Sequence, residues 1–221
     1  MEAKKLRQWR KLPRAVKESS LSVVLFALFA ICMLAQSFAG WWLQNETLAA
    51  HGKASIGYWH NLFTGTFLEG LASNWQAAFL QLASLILFSE FFYQRGAPHS
   101  RDPLRPISKR KLRDEAGRFS WFYRNSFFLA LLLLFVLSLA MHVVVGADAY
   151  NEERSLTGRP PVSIVAFLLS AKFWSSTLQT WQAEYLAIAI FVVLSIFLRQ
   201  QNSAESKPLE SRNDATGEAN K

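Results

Sequence analysis

The chain has 221 residues, is 51% apolar, and carries 24 Lys and Arg against 16 Asp and Glu, a formal net charge of +8. Mean hydropathy is only +0.12, so the apolar residues are concentrated in blocks. The basic residues lie in clusters beside those blocks, not on one folded face, which argues against nucleic-acid binding, and one cysteine, Cys32, excludes an internal disulfide.

A basic leader over residues 1–18 precedes the first apolar run, "LSVVLFALFAICMLAQSFAGWWL", which predicts a transmembrane helix over about 20–42. Its basic flank and the "SFA" at 37–39 also resemble a secretory signal. The length of the uncharged run, and a second copy of the segment further along, weigh against cleavage. An outer loop over 41–74 follows, then a second span over about 72–93, diluted by Asn74, Gln76 and Gln81. A basic connection covers 96–123. The third span, over about 125–147, is as apolar as the first. After an outer loop over 147–180, a fourth span is predicted over about 178–198, although only 14 uncharged residues separate Glu184 from Arg199. The tail, 201–221, mixes acids and bases with Ser, Asn and Gly and reads as disordered.

Lys and Arg set the orientation. The leader, the central connection with its flanking Arg95 and Arg124, and the tail from Arg199 onward hold 20 of the 24, and the two remaining loops hold four. The positive-inside rule then predicts cytoplasmic termini in a cell inner membrane, with the basic flanks near anionic inner-leaflet lipids.

The phrase "NWQAAFL" at 74–80 returns as "TWQAEYL" at 180–186, 106 positions later. Sliding 124–206 onto 18–100 without a gap matches 19 of 83 positions. Among the matches are Gly40/Gly146, Asn45/Asn151, Glu46/Glu152, Gly52/Gly158, Phe67/Phe173, Trp75/Trp181 and Gln76/Gln182. This predicts a duplication of a helix–loop–helix unit, 19–95 and 124–200. Two crossings per unit make the units parallel. The expected fold is an all-α membrane protein of four transmembrane helices in two parallel two-helix repeats. Amphipathic helices, capped by Ser55 and Ser163, are expected on the outer loops.

These residues carry a resemblance. The chain is similar to an uncharacterised bacterial family of integral membrane proteins, a domain of unknown function. Its pattern runs Asn-Glu, His-Gly, Phe-Trp-Glu, Asn-Trp-Gln-Ser-Glu-Phe-Leu-Gln and Gln-x-Gly-Ser-x-Glu-Ser-Lys. The first half keeps Asn45, Glu46, His51, Gly52, Glu69, Asn74, Trp75, Gln76, Gln81, Gln94 and Gly96. The second keeps Asn151, Glu152, Gly158, Phe173, Trp174, Trp181, Gln182, Glu184, Ser203, Glu205, Ser206 and Lys207. Ala78 and Ser175 stand where the pattern has Glu, and Thr157 where it has His. The resemblance implies no assigned activity.

Candidate functional positions follow from polarity in apolar surroundings. Glu184 falls about a turn inside the last helix, where an acid is costly unless paired or hydrated. Trp75, Gln76, Trp181 and Gln182 are expected to face inward and join the repeats, with Gln36 and His142 as a further equivalent pair. Asn45, Glu46, Asn151 and Glu152 suggest either loop caps or a pseudo-symmetric carboxylate pair near His51 and His60. Glu90 reads as an interface residue near Arg95. No metal, cofactor or catalytic motif is read, and the chain is expected to be a structural, accessory or envelope-related protein. The alternatives are a small-solute permease or channel subunit with a path between the repeats, and a membrane enzyme at the outer face. The expected partners are the bilayer, anionic inner-leaflet lipids and further copies of the chain, without nucleic acid.

Overall fold

A computed structural model describes residues 18–100 and 117–217. Most of the basic leader and much of the basic central connection lie outside the described residues, so the charge clusters that predict orientation are not part of the fold below.

The described residues are helical, with no strand among them. Helix α1 spans Ser20–Ala50, α2 Tyr58–Asn61, α3 Gly65–Phe91, α4 Trp121–Arg124, α5 Ser126–Leu156, α6 Ile164–Leu168 and α7 Ala171–Phe197. Four of them, α1, α3, α5 and α7, are long and apolar enough to cross a membrane. At 1.5 Å per residue the 31-residue α1 and α5 reach about 46 Å, and the 27-residue α3 and α7 about 40 Å, against roughly 30 Å of hydrocarbon. All four therefore have turns to spare beyond an apolar core.

Those extra turns alter the predicted boundaries. Helices α1 and α5 run on through Asn45-Glu46 and Asn151-Glu152, which are helical and not loop caps. The outer-loop helices are shorter than the sequence suggests, four residues in α2 and five in α6. Ser163 does cap α6, its Oγ accepting the Ala166 N–H at 3.2 Å. Ser55 caps nothing, because α2 begins after Gly57. The long helices then restart under new caps: Thr64 Oγ1 accepts from the Phe67 N–H and Ser170 Oγ from the Phe173 N–H.

Corresponding features recur 106 positions apart. Ser20–Ala50 matches Ser126–Leu156 in length, and Gly65–Phe91 matches Ala171–Phe197. Gly52 and Gly158 both adopt positive φ, at 66° and 69°, just past the helix ends. Their N–H groups return to the Ala49 and Ser155 carbonyls, as in a left-handed helix stop.

The chain divides into two compact units at Phe67/Leu68. In the first, Ser37 is buried and shares a 2.8 Å hydrogen bond with the Tyr58 hydroxyl, while Tyr58 stacks on Phe38. In the second, Ala147, Phe167 and Phe173 form a core with Leu139, Val143 and Tyr150 against it. Gly146 admits this packing: a Cβ there would stand 2.9 Å from Phe167 Cε1. Elsewhere the long helices turn large apolar side chains outward, among them Phe26, Phe29, Leu133, Leu137, Leu186 and Val193. Water would penalise that surface; hydrocarbon would not.

The tail departs from expectation. Residues 201–217 are irregular but folded, wrapped around the side chain of Lys207, which is 2% exposed. Their Ser, Asn, Glu and Gly content suggests disorder. The order comes instead from hydrogen bonds to one buried ammonium group.

Candidate functional site

Polar residues inside the second unit meet one another. Midway along α3, Gln76 is fully buried, and its Oε1 accepts the Trp181 indole N–H from α7 at 2.8 Å. Its Nε2 donates to the Ser73 carbonyl at 3.1 Å. Further along the same pair of helices, Gln81 Nε2 donates to the Glu184 carbonyl at 3.2 Å. The Ser84 and Tyr185 hydroxyls share a 2.8 Å bond. The three contacts form a ladder between α3 and α7. Such bonds are each worth about 1 kcal/mol between membrane helices.

The ladder is not symmetric. Trp181 and Gln76 come from different halves of the proposed duplication and bond each other. Gln182 is exposed, as is Gln36, so neither faces inward as the sequence suggests. A Trp-Gln phrase fixes only adjacency; packing decides which member turns toward the neighbour. Trp75 is half-buried.

Glu184 stands at the midpoint of α7, Ala171–Phe197, and not one turn from its end. Its backbone carbonyl takes the Gln81 bond, while its carboxylate makes no hydrogen bond or ion pair among the described residues. The corresponding residue of α3 is Ala78, so only one carboxylate stands at this level of the two helices.

A second polar contact joins two residues that the sequence marks separately, Glu69 in the family pattern and His142 as the equivalent of Gln36. Glu69 on α3 and His142 on α5 approach to 3.4 Å, Oε1 to Nε2. His142 is wholly buried, its ring 5.1 Å from that of Phe173, and its Nδ1 has no partner. The Glu69 side chain is 28% exposed. Glu69 bounds an apolar run in the sequence and looks like a span limit; α3 begins four residues before it. The match of Phe67 and Glu69 to the Phe-Trp-Glu of the family pattern, with Leu68 in the place of Trp, is the one sequence signal that marks it.

Asn45 and Asn151 do related work. Asn45 Oδ1 accepts the Ile56 N–H at 2.7 Å and its Nδ2 donates to the Ile56 carbonyl at 3.1 Å. Asn151 makes the same two bonds to Val162, at 2.8 and 3.0 Å. Each asparagine thus clamps the connection that follows its helix as a neighbouring strand would. Glu46 accepts the Trp42 indole N–H at 2.7 Å, and Glu153 pairs with Lys172 at 2.8 Å. His51 bonds its own helix at the Thr47 carbonyl, and His60 is exposed. Glu152 lies beside Asn151 on α5, half-buried. Among the described residues no three His, Cys, Asp or Glu side chains are grouped to hold a metal.

At the C-terminal ends of α3 and α7 one turn is built twice. The Gln94 N–H donates to Ser100 Oγ at 2.9 Å, and the Gln200 N–H to Ser206 Oγ at 2.8 Å. Gly96 and Asn202 hold positive φ at corresponding places, 84° and 63°. Asn tolerates that region. Gly96 has no substitute, because a Cβ there would collide with the Asn213 carbonyl oxygen. Lys207 ties the two turns together: its Nζ donates to the carbonyls of Gly96 (2.8 Å), Asn213 (3.0 Å), Arg212 (3.2 Å) and Ala215 (3.4 Å). His99 contacts Glu205 at 3.2 Å and stacks on Phe191. At the edge, the Arg212 hydrogen bonds at 3.0 and 3.3 Å, opposed by desolvation and assisted by the charges of Arg212 and Arg95, hold the Asp214 carboxyl below its ordinary value of 3.8.

Four long apolar helices, an outward apolar surface and polar groups matched within the helices define an all-α multipass membrane protein. The chain belongs to the family described as "Domain of unknown function (DUF6766)", whose model matches residues 12–218. No curated protein and no solved structure matches it.

Proposed function

We propose that this protein is a structural or accessory component of a cell's inner membrane, built from two parallel, duplicated two-helix units with both termini in the cytoplasm. The observation that carries the reading is the Trp181–Gln76 bond with the ladder behind it. Polar side chains that could line a path are spent on holding helices together. The matched helix lengths, the paired Asn clamps and the paired Gln–Ser turns support the duplication. The 20-to-4 division of Lys and Arg supports the orientation. Anionic inner-leaflet lipids and further copies of the chain are the partners this reading expects.

Deleting the gene and challenging the strain with envelope stress and with a panel of solutes tests the role. Sensitivity to envelope stress that Glu184→Gln complements as well as the native gene supports it. A solute-specific defect that Glu184→Gln fails to complement supports transport and sinks the accessory reading. A reporter fused at the C-terminus that is active only outside the cytoplasm overturns the orientation.

Glu69–His142 favours a second reading, a small-solute permease. A wholly buried histidine beside a part-exposed carboxylate is a means of carrying a proton through an apolar layer. Proton-coupled uptake in vesicles that Glu69→Gln abolishes, with the protein still folded, would select it.

A further inference from the structure

A cleft of about 640 Å³ opens in the second unit between the C-terminal end of α3 and the start of α5. Leu87, Phe127 and Phe128 form its apolar part, and Trp121, Glu90 and Arg124 its polar part. Glu90 is the penultimate residue of α3, and Arg124 the last of α4, two positions before α5 begins. Both therefore lie at one end of membrane-length helices, at the level where lipid headgroups sit and where Trp is favoured. Trp121 and Phe127 are 55% and 65% exposed, so no described residue closes this side of the cleft.

The charges decide what fits. Glu90 and Arg124 are both exposed and opposite in sign, and line the same cleft. Yet among the described residues neither side chain makes an ion pair or a hydrogen bond. Such a pair, held apart, presents a dipole with no net charge. An anionic headgroup would be opposed by Glu90, and a simple cation by Arg124. A headgroup carrying a phosphate and an ammonium satisfies both. A primary ammonium suits Glu90 because it has N–H groups to donate. A trimethylammonium has none and is held by aromatic cages; Trp121, Phe127 and Phe128 line this cleft, so the choline lipid is the competitor to beat.

We propose that the cleft binds an ethanolamine phospholipid, with its phosphate on Arg124, its ammonium on Glu90 and its acyl chains along Leu87, Phe127 and Phe128. The proposal rests on the helices spanning a bilayer, but not on which end faces the cytoplasm. The test uses the full chain, reconstituted in nanodiscs of equal parts ethanolamine, choline and glycerol phospholipids, then delipidated with mild detergent and weighed by native mass spectrometry. The ethanolamine lipid should be retained about 5-fold over the choline lipid, a difference of about 1 kcal/mol. Glu90→Gln should bring that ratio to about 1, with phospholipid still bound, by removing that same difference. Arg124→Gln should lose both lipids, and Arg124→Lys should keep them. Equal retention of the ethanolamine and choline lipids by the native chain overturns the proposal. So does a preference for the anionic glycerol lipid, or an ethanolamine preference that survives Glu90→Gln. A chain that stays monodisperse without detergent overturns the membrane reading instead.

Discussion

Trp181 on α7 donates its indole N–H to Gln76 Oε1 on α3, across 105 positions of sequence, and Gln76 is fully buried beneath it. The bond places two residues of the repeated phrase against each other, but from different copies and in different roles: one gives the indole, the other the amide.

Trp181→Phe should therefore lower the stability of the detergent-solubilised protein by about 1–2 kcal/mol, because it leaves a buried amide oxygen without its donor. Gln76→Leu should cost about as much alone, and the double variant less than the sum of the two. A thermal-shift double-mutant cycle reads the coupling; strictly additive costs would show that the bond contributes nothing.

The Asn clamps predict a matched pair of effects. Asn45→Ala and Asn151→Ala each remove two hydrogen bonds, and each should cost about 2 kcal/mol. Hydrogen exchange should rise at the Ile56 amide in one variant and at the Val162 amide in the other, and not across the helices. Asn45→Asp should rescue only in part, since it keeps the acceptor and loses the donor.

Gly146 and Gly40 are equivalent in sequence and unequal in space. A Cβ at 146 meets the Phe167 ring at 2.9 Å, whereas one at 40 would sit in ordinary contact with Phe67 at 3.7 Å. Gly146→Ala should destabilise by about 1–3 kcal/mol through overpacking, with Gly40→Ala near neutral. Thermal denaturation of the two single variants checks the contrast.

Lys207→Met keeps the stem and removes the ammonium that four carbonyls share. The tail should detach, freeing the backbone at Arg199 and Arg212 for trypsin cleavage, at a cost of at least about 2 kcal/mol to the segment. Lys207→Arg should not restore protection, because a planar guanidinium cannot fill a cage shaped for a compact ammonium.

Acid should loosen the same segment. The Arg212 hydrogen bonds hold the Asp214 carboxyl below 3.8, so its folded value lies beneath its unfolded one. The stabilisation it gives is present above about pH 4 and lost as pH falls through the folded value. A spin label at Glu210→Cys, in a Cys32→Ser background, should gain mobility below that point. Asp214→Asn should make the label equally mobile at every pH.

Much of the frame is legible in the amino-acid order. Long apolar runs locate α1 and α5, and the 106-residue shift rescues α7, whose own uncharged stretch is too short to stand alone. The shift also reproduces helix lengths, because caps such as Thr64 and Ser170 keep their places. What a linear reading missed is facing and distance. Gln76 and Gln182 look alike, and only packing buries the first and exposes the second. Glu69 and His142 are 73 positions apart, and nothing local to either signals a partner. Lys207 sits in a polar tail where a lysine ordinarily meets water, so its carbonyl cage had no compositional trace.

The cage around Lys207 also imposes an order of events. Lys207 follows α7, yet it fastens on Gly96, which follows α3. A ribosome must release the last span before that fastening can happen. Until then the Gly96 carbonyl lacks its ammonium partner, and the turn after α3 waits on a residue made after α7.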